Sequence, residues 1–166
     1  MASEYYEFFH IVFVLIFFSG TIVAMLAERN ARNESNIHTV RSLVGMVHHS
    51  WMYLVNLPLV LTGIFGALTA WKLELPLTDT GWLNAAYGAI IVSVALALAV
   101  TFGHSRRVLR LAERDAQQGA KSPELQALLS SPAPRIATPV LHAIVAYIIV
   151  GRMISSMFLL GRQGGW

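Results

Sequence analysis

The chain has 166 residues, 55% of them hydrophobic and 13% charged, with a net charge of +3 and a mean hydropathy of +0.58. Soluble domains carry roughly 25% charged residues, so this composition describes one integral membrane domain and leaves no room for a soluble domain beside it. The absence of cysteine excludes disulfides, thiolate metal ligands, cysteine nucleophiles and cysteine-held iron–sulfur clusters.

The first apolar run, residues 5–26, is about the length a helix needs to cross a bilayer core. It carries Glu4 and Glu7 near its start instead of a basic region, so it reads as a mature span and not as a signal peptide. Its interior holds one ionisable residue, His10, and a Gly20-Thr21 pair. The helix is expected to continue into the polar stretch that follows, since Ala, Arg and Glu tolerate helix. A second span covers residues 43–71, opening on His48-His49 and passing Tyr53, Asn56, Pro58, Gly63 and Gly66. Pro58 predicts a kink near its middle and a freed backbone carbonyl that a neighbour must satisfy. A third span, 82–102, is rich in small residues such as Ala85, Gly88, Ser93 and Ala97, which let helices approach closely in lipid.

Residues 103–137 read as an amphipathic link on the cytoplasmic side. Arg106, Arg107, Arg110 and Arg114 predict a helix lying on the lipid surface. Gly119 is its expected stop. Ser122-Pro123-Glu124 then gives an N-cap, a proline at the first helical position and an early acid, predicting a short helix to about Ser130. The fourth span, 138–160, holds His142, Tyr147 and Arg152. The expected fold is therefore an all-α, integral membrane four-helix bundle within a single transmembrane domain, 1–166.

Orientation follows from lysine and arginine in the short loops. Arg29, Arg32 and Arg41 lie in the first link, and Arg106, Arg107, Arg110, Arg114, Lys121 and Arg135 in the third; the other side has Lys72 and Arg162. The basic links should be cytoplasmic and both termini periplasmic, in a multi-pass protein of a bacterial inner (plasma) membrane. This distribution also accounts for the pI near 9.6 without nucleic acid.

An ionisable residue inside a span is a functional hypothesis by default. Helical spacing aligns His49, Tyr53 (or Met52), Asn56, Gly63 and Gly66 on the second helix, His104, Ala97 and Ser93 on the third, and His142 and Ala146 on the fourth. Neutral histidine is a metal and haem ligand, and haem between facing helices is a common use of a four-helix bundle. Arg152, Arg41 and Arg106 are available for the propionates, Arg152 foremost. The bland readings stand beside this one: His104 at an interface, His38 in solvent, one of His48 and His49 at headgroups, His142 bonded near a helix start, and Arg152 paired with Glu4 or Glu7. The phenylalanines of the first span read as lipid contacts, although Phe13 borders the face of His10.

Four motifs carry a resemblance. They are F-H-I-V-x5-F-S-G ending at Gly20, N-L-P-L-V-L-T-G from Asn56, G-W-L at Gly81, and R-R-V-L-R-L from Arg106. The chain resembles the four-helix bacterial membrane proteins related to the HemJ-type, oxygen-independent protoporphyrinogen oxidases. The resemblance implies haem b with His10 as an iron ligand. The family's second ligand is a lysine shortly after G-W-L; here Asn84, Ala85, Ala86 and Tyr87 follow instead, which argues against the oxidase activity. His49 or His142 would then complete the ligation, although both are expected to lie deeper than His10. The leading expectation is a haem b-binding electron-transfer protein with a quinol or cytochrome partner. The alternatives are a cofactor-free accessory subunit of a larger respiratory or photosynthetic complex, or a homo-oligomer, and a HemJ-like enzyme.

Overall fold

The computed structural model describes residues 2–75, 81–132 and 134–148, and every regular element among them is helical. Helix α1, Ala2–Asn33, does run on past the first apolar stretch. At 1.5 Å per residue it is about 48 Å long, so its last turns stand beyond a hydrocarbon core of about 30 Å. The chain reverses over residues 34–36, where the Glu34 carboxylate accepts from the Ser35 and Asn36 amides, both at 2.8 Å. Asn36 then caps the next helix by accepting from the His38 and Thr39 amides.

Helix α2, Ile37–Lys72, is continuous but contains a π-helical turn at Ser50–Asn56. That turn sits directly before Pro58, whose ring would crowd the carbonyl of residue 54 in a regular α-helix. Widening the preceding turn accommodates the ring, and the irregularity expected of Pro58 takes this form. Helix α3 joins an α-helical stretch Gly81–Leu98, a second π-helical turn Ala99–Ser105 and a further stretch Arg106–Gln118. It ends where Gly119 adopts φ +73, a left-handed conformation that glycine takes without strain. Helix α4, Pro123–Leu129, is capped by the Ser122 hydroxyl, which accepts from the Leu125 amide. Helix α5 covers 134–148.

Three helices, Glu4–Asn33, Ile37–Lys72 and Leu83–Gln118, are long and apolar enough to cross a membrane. The outer half of the expected fourth span, with Arg152, lies outside the described residues. Large apolar side chains such as Phe8, Ile11, Leu15, Ile91 and Val92 face outward, as they do on helices surrounded by lipid.

The buried residues form two groups. Phe17, Ala24, Trp51, Val55, Leu59, Ala97, Leu141 and Val145 fill the bundle. Ala31, Ile37, Val40, Val44, Val108, Ala112, Leu125 and Leu129 form a second core beyond the spans. The second core corrects the expectation of a surface-lying helix after the third span. The apolar face of Arg106–Gln118 is covered by α1, α2 and α4, with Val108 and Ala112 buried.

Two polar side chains hold that end together. Asp115 is fully buried; its carboxylate accepts from the Ser122 amide at 2.7 Å and from the Arg114 guanidinium at 3.0 Å. Burial alone would push this carboxyl up, but the donors of Ser122 and Arg114 outweigh it and hold it below the ordinary carboxylate range. Lys121 Nζ donates to the carbonyls of Ala31, Arg32 and Glu34 at 3.2–3.3 Å. These are orphan acceptors at the C-terminal end of α1, where a cation is favoured. The bond from Lys121 also brings the two basic links to the same end of the molecule.

Candidate functional site

His10 lies on the inner side of α1, one turn before Val14, and meets α2 where that helix carries Thr62, Gly63 and Gly66. Its Nδ1 is 2.9 Å from the Thr62 carbonyl oxygen. A carbonyl can only accept, so Nδ1 carries the proton, and in the neutral form of the ring the lone pair is on Nε2. Gly66 eases this approach: a Cβ there would sit 3.2 Å from both Cε1 and Nδ1 of the imidazole, a tight contact. The ring is therefore held by the Thr62 carbonyl, and a side chain at position 66 would have to displace it by a few tenths of an ångström.

His10 borders a cleft between α1, α2, α3 and α5. The other described wall residues are mainly apolar, among them Phe17, Leu59, Leu83, Ile90 and Val145, with Glu7, Thr62, Thr69 and Tyr87 supplying polar atoms. The cleft encloses about 990 Å³ of atom-free space with its open mouth included, and about 140 Å³ of that can seat the centre of a water molecule. An apolar hollow with a few converging polar groups is the usual form of a small-molecule site. Tyr87 stands on this wall four residues beyond Leu83, in the segment after G-W-L.

The other histidines are not brought to His10. His142 Nε2 is 2.6 Å from Thr21 Oγ1, and that hydroxyl donates to the Phe18 carbonyl, so Nε2 must be the donor to it. The His142 ring also packs at 5.0 Å from the Phe18 ring. Thr21 is eleven residues past His10, about 16 Å along α1, so His142 joins helices at a different level. His49 is exposed; its Nδ1 donates to the Gly45 carbonyl at 2.7 Å and its ring stacks on Tyr53, which is 60% exposed. The expected stripe from His49 through Tyr53 to Asn56 is thus broken. Residues of a π turn advance less far around the axis than those of an α-helix, so 3.6-residue spacing slips across Ser50–Asn56. His48 is the inward member of the pair, with Nδ1 3.2 Å from Ser105 Oγ. Among the described residues no group of three or more His, Asp or Glu is placed to hold a metal ion.

The two π turns face each other. Asn56 Nδ2 donates to the Trp51 carbonyl and to Thr101 Oγ1, both at 2.7 Å, and Thr101 donates to the Ala97 carbonyl at 2.8 Å. Together with His48–Ser105 this makes two polar rungs between α2 and α3. Asn56 Oδ1, Thr62 Oγ1 and Ser93 Oγ are buried with unused hydrogen-bonding capacity. Phe17 belongs to the core and Phe13 stacks on Phe65 at 5.5 Å, while Phe8 remains exposed, so the phenylalanines of α1 divide between core and lipid.

Residue spacing in the chain does not mark Tyr87 as a cleft residue or Glu28 as a buried one. Glu28 is 7% exposed, although it stands in a stretch whose composition reads as polar link. The one local signal was its position between Ala27 and Ala31, both buried small residues one helical turn apart. No protein-family model matches this sequence, and neither a curated protein nor a solved structure is significantly similar to it.

Proposed function

We propose that this chain is a multi-pass membrane protein that binds haem b in the cleft beside His10 and takes part in electron transfer. The observation that carries the reading is the anchored imidazole. Ligating histidines almost always donate their second ring nitrogen to a carboxylate or a backbone carbonyl, which fixes the tautomer and raises ligand basicity. His10 has this arrangement with Thr62, and it borders an apolar cleft. The resemblance to HemJ-related membrane proteins assigns iron ligation to the same residue.

The fit to haem is specific in one half and revised in the other. His10 would hold the iron through Nε2. The expected partners His49 and His142 are engaged elsewhere, so a pair of histidines on one iron is not proposed. Tyr87 and Glu7 are the titratable groups besides His10 on the described wall and would be the further residues available to hold the group. Bound haem would supply one-electron chemistry whose potential depends on these ligands and on the apolar lining. The chain's own residues orient the imidazole and line the cleft from four helices.

The basic links lie at one end of the molecule, and by the positive-inside tendency that end is cytoplasmic in this reading. Both termini would then be on the opposite side. The test is the absorption spectrum of the purified protein, oxidised and then reduced with dithionite. A Soret shift and α band that disappear in His10→Ala are expected. A protein that stays colourless after haem is supplied removes the reading.

A further inference from the structure

At the end of the molecule away from the His10 cleft, a carboxyl group is buried where neither the cleft nor the fold accounts for it. Glu28 is eighteen residues past His10, about 27 Å along α1 and beyond the apolar span 5–26. Its side chain is almost fully enclosed, and Oε1 has no hydrogen-bond partner. Arg32 is the nearest cation on its own helix, with Nη2 at 4.0 Å, too long for a hydrogen bond. Glu28 shares a void of about 10 Å³ with His104 and Ser105, closed by Val44, Val47, Val108 and Leu129. That volume suits one water, which needs two to four polar partners. Glu28, His104 and Ser105 supply three.

We propose that Glu28, His104 and Ser105, joined through Ser105 to His48, form a water-containing proton-binding site at this end of the bundle. The ligand is a proton, taken up by the carboxylate from the water and handed on through the imidazoles and the hydroxyl. The chemistry balances without a further reactant: an O–H bond to Glu28 forms as one to water breaks, and the hydroxide is reprotonated from bulk. Four of the five elements packed around the site bring charged or titratable groups to it. From α1 it is faced by Arg32, from α3 by His104, with Arg106 and Glu113 acting on His48, from α2 by His48, and from α5 by Arg135. α4 contributes only the apolar Leu129 to the void. Burial pushes the Glu28 carboxyl up to about 7, with Arg135 opposing, so the site exchanges its proton near neutrality. This inference does not depend on haem and holds for the protein with an empty or a filled cleft.

The experiment is infrared difference spectroscopy of the full chain in detergent, titrated from about pH 5 to about pH 9. The C=O stretch of a protonated carboxylic acid should be present at the acid end, fall with a midpoint near neutrality, and be missing in Glu28→Gln. In His104→Gln the same band should titrate with a midpoint moved by at least half a unit. If Glu28→Gln does not fold, Glu28→Asp should keep the band with a shifted midpoint. A spectrum with no protonated-acid band, a band that survives in Glu28→Gln, or a midpoint unmoved in His104→Gln overturns the proposal.

Discussion

At Gly20 the backbone of α1 passes tightly against Leu54 of α2, and a single methyl group there tests the packing of the bundle. A Cβ on Gly20 would stand 2.5 Å from both Cβ and the carbonyl oxygen of Leu54 and 2.7 Å from its carbonyl carbon. Leu54 is the residue four before Pro58, inside the π turn, so the contact is with backbone that has already been displaced once. Ordinary contact begins at 3.4 Å, so Gly20→Ala must separate the helices by roughly 0.9 Å, a gap that forfeits about a quarter to a half of each dispersion contact it opens. Overpacking costs about 1–3 kcal/mol where side chains can give way. Here the obstacle is backbone, which places the expected loss near the upper end, about 3 kcal/mol. The same exchange at Gly45 or Gly88 meets nothing within 4 Å and should gain up to about 1 kcal/mol from helix propensity. Unfolding by sodium dodecyl sulfate in mixed micelles, followed by helical circular dichroism, reads all three variants. Gly20→Ala as stable as the parent, or no less stable than Gly45→Ala, would refute the close crossing.

Lys121→Met removes a cation that serves three carbonyls and should lower stability by roughly 1–3 kcal/mol, with added protease cleavage near residues 34–36 as the local sign. Asp115→Asn should also destabilise. Because the Asp115 carboxyl is held below its ordinary value in the fold, its contribution is full at neutral pH and is lost as acid is added below about pH 4; acid unfolding of Asp115→Asn should therefore be flatter than that of the parent. Glu28 has the opposite sign. Its folded value of about 7 is above the ordinary 4.5, so its contribution is full below that value and is lost as pH rises through neutrality. A fall of roughly 2–3 kcal/mol between pH 5 and pH 8, allowing for residual screening, is expected in the parent and should be absent in Glu28→Gln. The chain has no cysteine, so single substitutions report sidedness: Ser35→Cys should react with a membrane-impermeant maleimide only from the cytoplasmic face and Leu75→Cys only from the other. Labelling of both from one side would reject the orientation.

What the sequence made legible was local. Gly119 and Ser122 could be read as stop and start because a left-handed turn and a helix cap each depend on one residue and its immediate neighbours. Pro58 marked an irregularity for the same reason, but the form it takes was not legible. A π turn leaves no signature in residue spacing, yet it rotates everything before it against everything after it. Hence His48 faces Ser105 while His49, the residue that regular spacing selects, faces outward. The second core was hidden differently. Val108, Ala112, Leu125 and Leu129 have the periodicity of a helix lying on lipid, and nothing in that periodicity says whether lipid or protein covers the apolar face. The answer lies in contacts with Ala31 and Val40, far away in sequence. Glu28 follows from the same contacts. It reads as a solvated residue after the first span, and it becomes a buried carboxyl because α3 and α4 fold back over the end of α1. His10 was legible because a lone imidazole in an apolar run is unusual whatever surrounds it; its tautomer was not, because that is set by Thr62 and Gly66 on another helix. The site's residue types can thus be read from the chain, whereas their protonation and pairing are properties of the helix crossings at Gly20, Gly66 and the paired π turns.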